Sequence, residues 1–443
     1  MVFPFKTVEP MWFYPAKEFG MSPQKRTVIY RLIVLSSVLF ACAGLPAFGT
    51  DEEAADIAFG PQLSATEHQT GVFEDVLKHM QENYVYYESS QMDWASLRET
   101  YLDEINKGLT TAEFEALMTQ FEAEFAQGEV VYVSREERIQ ADTAVNTPTY
   151  GGIGAFVSFQ AEDVPHVVIL DVMPGSPAEK SGLRAHDSIY AVDGEEVRLE
   201  EGGDVVLRIR GDAGTTVSLT VQSPGGEKRE IEIIRAPLTG LGKVKASELP
   251  DADIGYILMP TTLPASPVEE IAAALETFSQ NSELKGVILD LRISNSGTNW
   301  PIEEMLALFL DNATIDIYSR SQSEPYHVNG QNLFGSQEIP LVVLVGEHTS
   351  GLPELFAAAV QSTGRGIVIG SNTEGNIEAL NAYPLSNGGQ ILIASASFRV
   401  SGEEELGLHG FQPEVRVEAR WDEILPEADP VLEQAILSLE VQE

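Results

Sequence analysis

From residue 253 onward the chain alternates short apolar runs with amphipathic ones, which confines its C-terminal half to a partly parallel sheet covered by helices. The runs at 254–258, 286–291, 341–345 and 366–369 predict strands, and those at 266–278, 300–310 and 353–362 predict helices. Residues 389–394 and 397–400 read as a final hairpin. Asp429 and Pro430 fit the N-cap and first position of a closing helix. Within this half, residues 340–376 have the layout of a nucleophile site: strand, polar turn, helix, second strand. The centre of the turn is Thr349-Ser350-Gly351-Leu352. Such a turn suits a nucleophile because the first amides of a helix are unpaired and favour an anion.

The N-terminal half follows other rules. Residues 67–125 place Val72, Phe73, Val76 and Met80, and then Phe114, Leu117, Met118 and Phe121, at helical intervals, which predicts helices with one buried face. Thr110 and Glu113 have capping-box spacing. Residues 126–150 read as a loop. From Gly151 short β-runs alternate with Gly, Pro and Asp turns as far as residue 238.

A net charge of −41 over 443 residues argues against nucleic-acid or anionic-membrane partners, since phosphates would be repelled. The first 49 residues oppose this trend with a net +3. There Lys25-Arg26 and Arg31 precede an apolar run, and small residues follow at 47–49, the pattern of a secretory signal. Met21 is a natural start for it, which makes 1–20 an over-extension. The run is short for a transmembrane helix. The expectation is an exported, periplasmic or extracellular chain. Cys42 is the only cysteine, so no disulfide or cysteine metal site can form within the chain. Its surroundings loosely resemble a lipoprotein cleavage box, the single route to a membrane anchor. No metal-ligand pattern or cofactor motif is present, and none is expected.

Residues 151–238 resemble a PDZ domain. Gly152-Ile-Gly-Ala155 stands where that family binds a terminal carboxylate, and Met173-Pro-Gly-Ser-Pro-Ala178, Asp187-Ser-Ile189 and Val192-Asp-Gly194 follow in family order. The resemblance implies that backbone groups of Ile153, Gly154, Ala155 and Phe156 receive a C-terminal peptide, which then adds to the neighbouring strand.

Residues 67–440 as a whole resemble the C-terminal-processing, or tail-specific, serine peptidases. Ile254-Gly-Tyr-Ile257, Gly286-Val-Ile-Leu-Asp-Leu-Arg292, Pro340-Leu-Val-Val-Leu-Val345, residues 354–361 with Gly364-Arg365, and Gly407-Leu-His-Gly410 carry the likeness. It implies a multidomain α/β (α+β) protein: a signal segment (1–49), a helical N-terminal region (67–150), a PDZ domain (151–238) and a ClpP/crotonase-like α/β core (250–443). The family's chemistry is acyl transfer by a serine with a lysine base, which requires a lysine kept neutral by burial. Here Gly351 stands at the nucleophile position, Asn376 at the lysine and Leu380 at the glutamine that orients it. The oxyanion loop keeps Gly297 but has Ser296 in place of its partner glycine. No lysine follows Lys285.

Three readings remain open at this level. The leading one is a catalytically impaired homologue that binds C-terminal tails of exported proteins and presents them to an active peptidase or sequesters them. The second is an active serine endopeptidase with Ser350 as relocated nucleophile, His409 or His348 as base, and Glu374 or Asp290 as orienter. The third is a structural envelope protein.

Overall fold

The computed structural model describes residues 64–126, 128–139, 151–161, 164–238, 242–250, 252–295, 300–311, 313–402, 410–425 and 428–441. The expected signal segment with Cys42, residues 127 and 140–150, and Ser296, Gly297 and His409 lie outside them.

Three helices, Ala65–Asn83, Trp94–Ile105 and Thr111–Glu122, form the N-terminal region. Thr110 and Glu113 close the capping box that their spacing predicts. The apolar faces bury Phe73, Met80, Ile105, Met118 and Phe121 in one core, and Ile391, Ile393 and Ala394 complete it. The strand Val130–Val133 then runs antiparallel to Gln390–Val400. The helical region therefore shares a sheet with the C-terminal half. The PDZ unit that begins at Gly151 is inserted between these two parts of one body.

The expected hairpin at 389–400 is instead one 11-residue strand, Gln390–Val400. Ser395-Ala396-Ser397 contains no Gly or Pro to break it, and neighbours on both sides hold it extended. It pairs with Ala379–Pro384, with Thr314–Ser319 and with Val130–Val133.

The central sheet runs in the order Lys245–Leu249, Ile254–Leu258, Gly286–Asp290, Leu341–Val345, Ile367–Gly370, Val415–Arg416. The first pair is antiparallel and the rest are parallel. Gly286–Asp290 and Leu341–Val345 are buried at every residue, as strands covered on both faces must be. Helices Pro267–Phe278, Ile302–Phe309 and Leu352–Ser362 pack on one face. Pro430–Glu440 packs on the other, and Asp429 caps it by accepting from the Val431 and Leu432 amides. Pro301 sits at the N-cap rather than inside its helix.

Residues 151–237 form a separate sheet in the order Ala155–Gln160, His166–Val172, Ser188–Val192, Thr216–Gln222, Arg229–Ile234. Ile169, Leu183, Ile189 and Leu219 fill its core. The first and last segments of this unit, Gly151–Gly152 and Ala236–Pro237, pair with each other. The unit rests on the central body through Trp421, which packs with Val168, Leu170, Ile293 and Ile424. The Trp421 indole donates to the Ile169 carbonyl at 3.1 Å.

Candidate active-site turn and peptide groove

The parallel strands deliver the turn at residues 346–351 to the C-terminal end of the sheet, the usual place for a site in such a fold. Thr349 locks the turn from inside. Its buried hydroxyl donates to the Leu291 carbonyl and accepts from the Gly346 amide, both at 2.9 Å. Ser350 is half-buried, and its hydroxyl donates to the Gly375 carbonyl at 3.3 Å. The next residue, Gly351, is the N-cap of the helix Leu352–Ser362 with φ 75° and ψ −133°, a conformation that disfavours any side chain. The position aligned with the nucleophile thus lies outside the helix, immediately before its first residue.

Both amides of this pair are already used. Ser350 N–H donates to the Ser294 carbonyl at 3.1 Å, and Gly351 N–H donates to the same Gly375 carbonyl at 3.2 Å. An oxyanion hole needs donors aimed at empty space where negative charge will develop. At this turn the donors are aimed at carbonyls.

The carboxyl of Glu354 holds Gly375 from the other side. It is fully buried in the first turn of the helix and accepts from the Gly375 amide at 2.7 Å. Its second oxygen has no hydrogen-bond partner among the described residues. The nearby Thr373 hydroxyl favours the charged form, but it is committed to Phe411, whose amide it accepts at 2.6 Å. Burial, reinforced by the charges of Glu374 and Glu378, pushes the Glu354 carboxyl up to about 9. It is therefore neutral at pH 7 and retains a proton it can donate. Sequence reading used this residue only as part of a helix motif. The only sign of its role was a glutamate inside an otherwise apolar helix run.

Asn376, at the lysine position, adopts a left-handed backbone with φ 70°. A Cβ at Gly128 would lie 3.1 Å from its Oδ1, so the asparagine side chain sits against that loop. The stretch from 371 to 378 is irregular, and Leu380 lies on the strand Ala379–Pro384 with its side chain exposed. It is not one helical turn beyond 376, because no helix forms there.

The relocated-nucleophile arrangement does not assemble among the described residues. The Ser350 hydroxyl has the Gly375 carbonyl as its partner, not an imidazole. His348 is half-buried with its Nε2 out of solvent, and that nitrogen lies 3.4 Å from Glu347 without hydrogen-bond geometry. Burial holds the His348 imidazole down to about 4, so it is neutral and a weak base. Asp290 cannot serve as orienter. Its carboxylate is taken by the Arg292 guanidinium at 2.7 Å and the Tyr256 hydroxyl at 2.7 Å. Arg292 in turn reaches Asp429 at 2.8 Å. Glu374 is exposed.

The residues expected to receive a peptide carboxylate lie in the loop that leads into the first strand of the PDZ sheet and at the start of that strand. Gly154 has φ 80°, and its carbonyl accepts from the Met173 amide at 2.9 Å. The Ile153 carbonyl accepts from Ala178 at 2.8 Å. With these carbonyls turned inward, the Ile153 and Gly154 amides have no acceptor among the described residues. Ala155 and Phe156 begin the strand Ala155–Gln160, which is an edge strand open to β-augmentation. At the far end of that strand the Gln160 amide reaches Glu347, in the active-site turn, at 3.5 Å.

Three segments of the chain match known families: residues 253–417 match peptidase family S41, 168–235 a PDZ domain, and 65–123 the tricorn protease C1 domain. A carboxyl-terminal-processing protease of Synechocystis is 27% identical over 363 residues, covering 80% of this chain and 82% of the relative. Its counterpart in Picosynechococcus is 28% identical, covering 84% and 87%. Among solved structures, the photosystem II D1 C-terminal processing protease superposes with a TM-score of 0.59 at 23% identity, covering 85% of this chain and 98% of the other. That likeness shows the shared fold. The chain thus carries a peptidase family S41 core with an inserted PDZ domain and a C1-type helical region, and it is similar over most of its length to proteins named carboxyl-terminal-processing proteases.

Proposed function

We propose that this chain is a catalytically impaired member of its family that works by holding C-terminal tails of exported proteins in its PDZ groove. It presents them to an active peptidase or sequesters them. The observation that carries this reading is the closed turn. The Gly375 carbonyl accepts from both the Ser350 hydroxyl and the Gly351 amide, so nucleophile and oxyanion donor are spent on each other's neighbour. No lysine is available to act as base beyond Lys285. The open amides of Ile153 and Gly154 support the binding half of the proposal. Export rests on the basic and apolar pattern of residues 25–49.

The test is an assay of the exported chain on unstructured peptides with apolar C-termini, paired with a titration of the same peptides by fluorescence anisotropy. Binding without turnover supports the proposal. Turnover that disappears in Ser350→Ala overturns it in favour of proteolysis by Ser350. That second reading draws its weight from the relatives, which are named as proteases.

A further inference from the structure

The PDZ unit meets the central body at a histidine whose two ring nitrogens both face acceptors. His166 opens the strand His166–Val172, and its side chain is 3% exposed. Its Nδ1 is 2.8 Å from the Val164 carbonyl, and its Nε2 is 3.0 Å from Asp422 Oδ2. A carbonyl can only accept, so Nδ1 carries a proton. An ionised carboxylate can only accept as well, so a second proton must lie between Nε2 and Asp422. In this geometry the imidazole is an imidazolium. Were it neutral, a lone pair on Nε2 would face a carboxylate inside a buried junction.

We propose that His166 and Asp422 form a pH-sensitive clamp between the PDZ unit and the peptidase core, tight when His166 is doubly protonated and loosened as it loses a proton. The groups around the pair fit this assignment. On the core side Arg420 donates to both Asp422 oxygens at 3.2 Å and also approaches Glu423. On the PDZ side the Tyr190 ring stacks on His166 at 5.1 Å, and Lys228 Nζ lies 3.7 Å from the centre of the Tyr190 ring. Burial opposes charge on both partners. The hydrogen bonds to Asp422 and Val164 and the Asp422 charge outweigh it and raise His166, while those from His166 and Arg420 hold Asp422 down to about 2. For a histidine raised on folding, the stabilisation is complete below its unfolded value, about 6.5, and is lost as pH rises through the folded value.

The other polar bonds across the junction do not share this requirement. His186 donates from Nδ1 to the Trp421 carbonyl at 2.7 Å and is kept neutral by burial, so that bond needs one proton only. Lys245 meets Asp171 at 2.6 Å, a contact that does not involve His166. The clamp adjoins Trp421, which packs on Ile293 at the entrance to the oxyanion loop.

Hydrogen exchange read by mass spectrometry on the full chain tests this. Peptides spanning 166–172 and 419–424 are compared with the central strand Leu341–Val345 at about pH 5 and about pH 9, after correction for the intrinsic rate. The expected result is that junction protection falls by about tenfold relative to the central strand as pH rises. In His166→Gln, which keeps one donor for Asp422 but cannot titrate, the ratio should be the same at both pH values. A flat ratio in the natural chain, or a decline that persists in His166→Gln, overturns the proposal. Should His166→Gln fail to fold, Asp422→Asn replaces it and must also abolish the decline.

Discussion

The Glu354 carboxyl accepts from the Gly375 amide at 2.7 Å, while the carbonyl of the same Gly375 accepts from the Ser350 hydroxyl at 3.3 Å. One glycine is thus gripped from both ends by the helix and the turn that precede it. This places a neutral, buried acid beside the position where the family keeps a base. It also accounts for a loop that holds its shape without a lysine.

Glu354→Gln should keep the acceptor for Gly375 while removing the acid. The carboxyl is raised on folding, so the natural chain binds more protons folded than unfolded between about pH 4.5 and about pH 9 and loses stability as pH climbs through that window. The glutamine variant should show a flatter profile and exceed the natural chain by the order of 1 kcal/mol or more near pH 8. Urea unfolding at several pH values checks this. A natural-chain stability that rises over the same window would contradict it.

Ser350→Ala should leave turnover on apolar-tailed peptides unchanged at background. Its hydroxyl makes one long hydrogen bond, so the stability cost should stay within about 1 kcal/mol. A fluorophosphonate probe should label neither form. Labelling of the natural chain alone would show that the serine reacts.

Gly154→Ala should weaken peptide binding by about tenfold or more. The added Cβ would fall 2.4 Å from the Ser176 Cβ, at a backbone angle of +80° that side chains avoid. Anisotropy of a labelled C-terminal peptide gives the affinity. Exchange protection of Leu341–Val345 should be unchanged, which separates loss of the receptor from general unfolding.

Arg292→Met should cost about 3–5 kcal/mol, because it strands the fully buried Asp290 carboxylate and also releases Asp429. The double variant with Asp290→Asn should recover part of that loss, since the stranded charge is gone. Chemical denaturation midpoints for the two variants decide it.

Local pattern made much of this molecule readable. Leu341–Val345 is apolar at every position and is a fully buried central strand, and Thr110 with Glu113 is the cap that its spacing announces. The substitutions at the positions aligned with the family's serine and lysine could be read because Gly351 and Asn376 are single letters in ordered motifs. What escaped depends on distant partners. Glu354 resembles an ordinary acidic residue in a first helical turn until packing buries it. His166 and Asp422 are 256 residues apart, and neither has a local feature that names the other. Ser395 to Ser397 looked like a break because small polar residues favour turns, yet Ser397 is buried and meets the Tyr86 hydroxyl at 3.2 Å.

Gly151–Gly152 and Ala236–Pro237, the two ends of the PDZ unit, lie side by side as a two-residue ladder. The host body on either side of them is stitched together independently by the pairing of Val130–Val133 with Gln390–Val400. The insert thus enters and leaves its host through one narrow doorway, like a cassette in a slot. Exchange of the whole module at this doorway would leave the pairing of the host strands intact, while the contacts of Trp421, Asp422 and Lys245 with the module would have to be rebuilt. Recognition and catalysis in such an architecture can be inherited, lost and refitted separately.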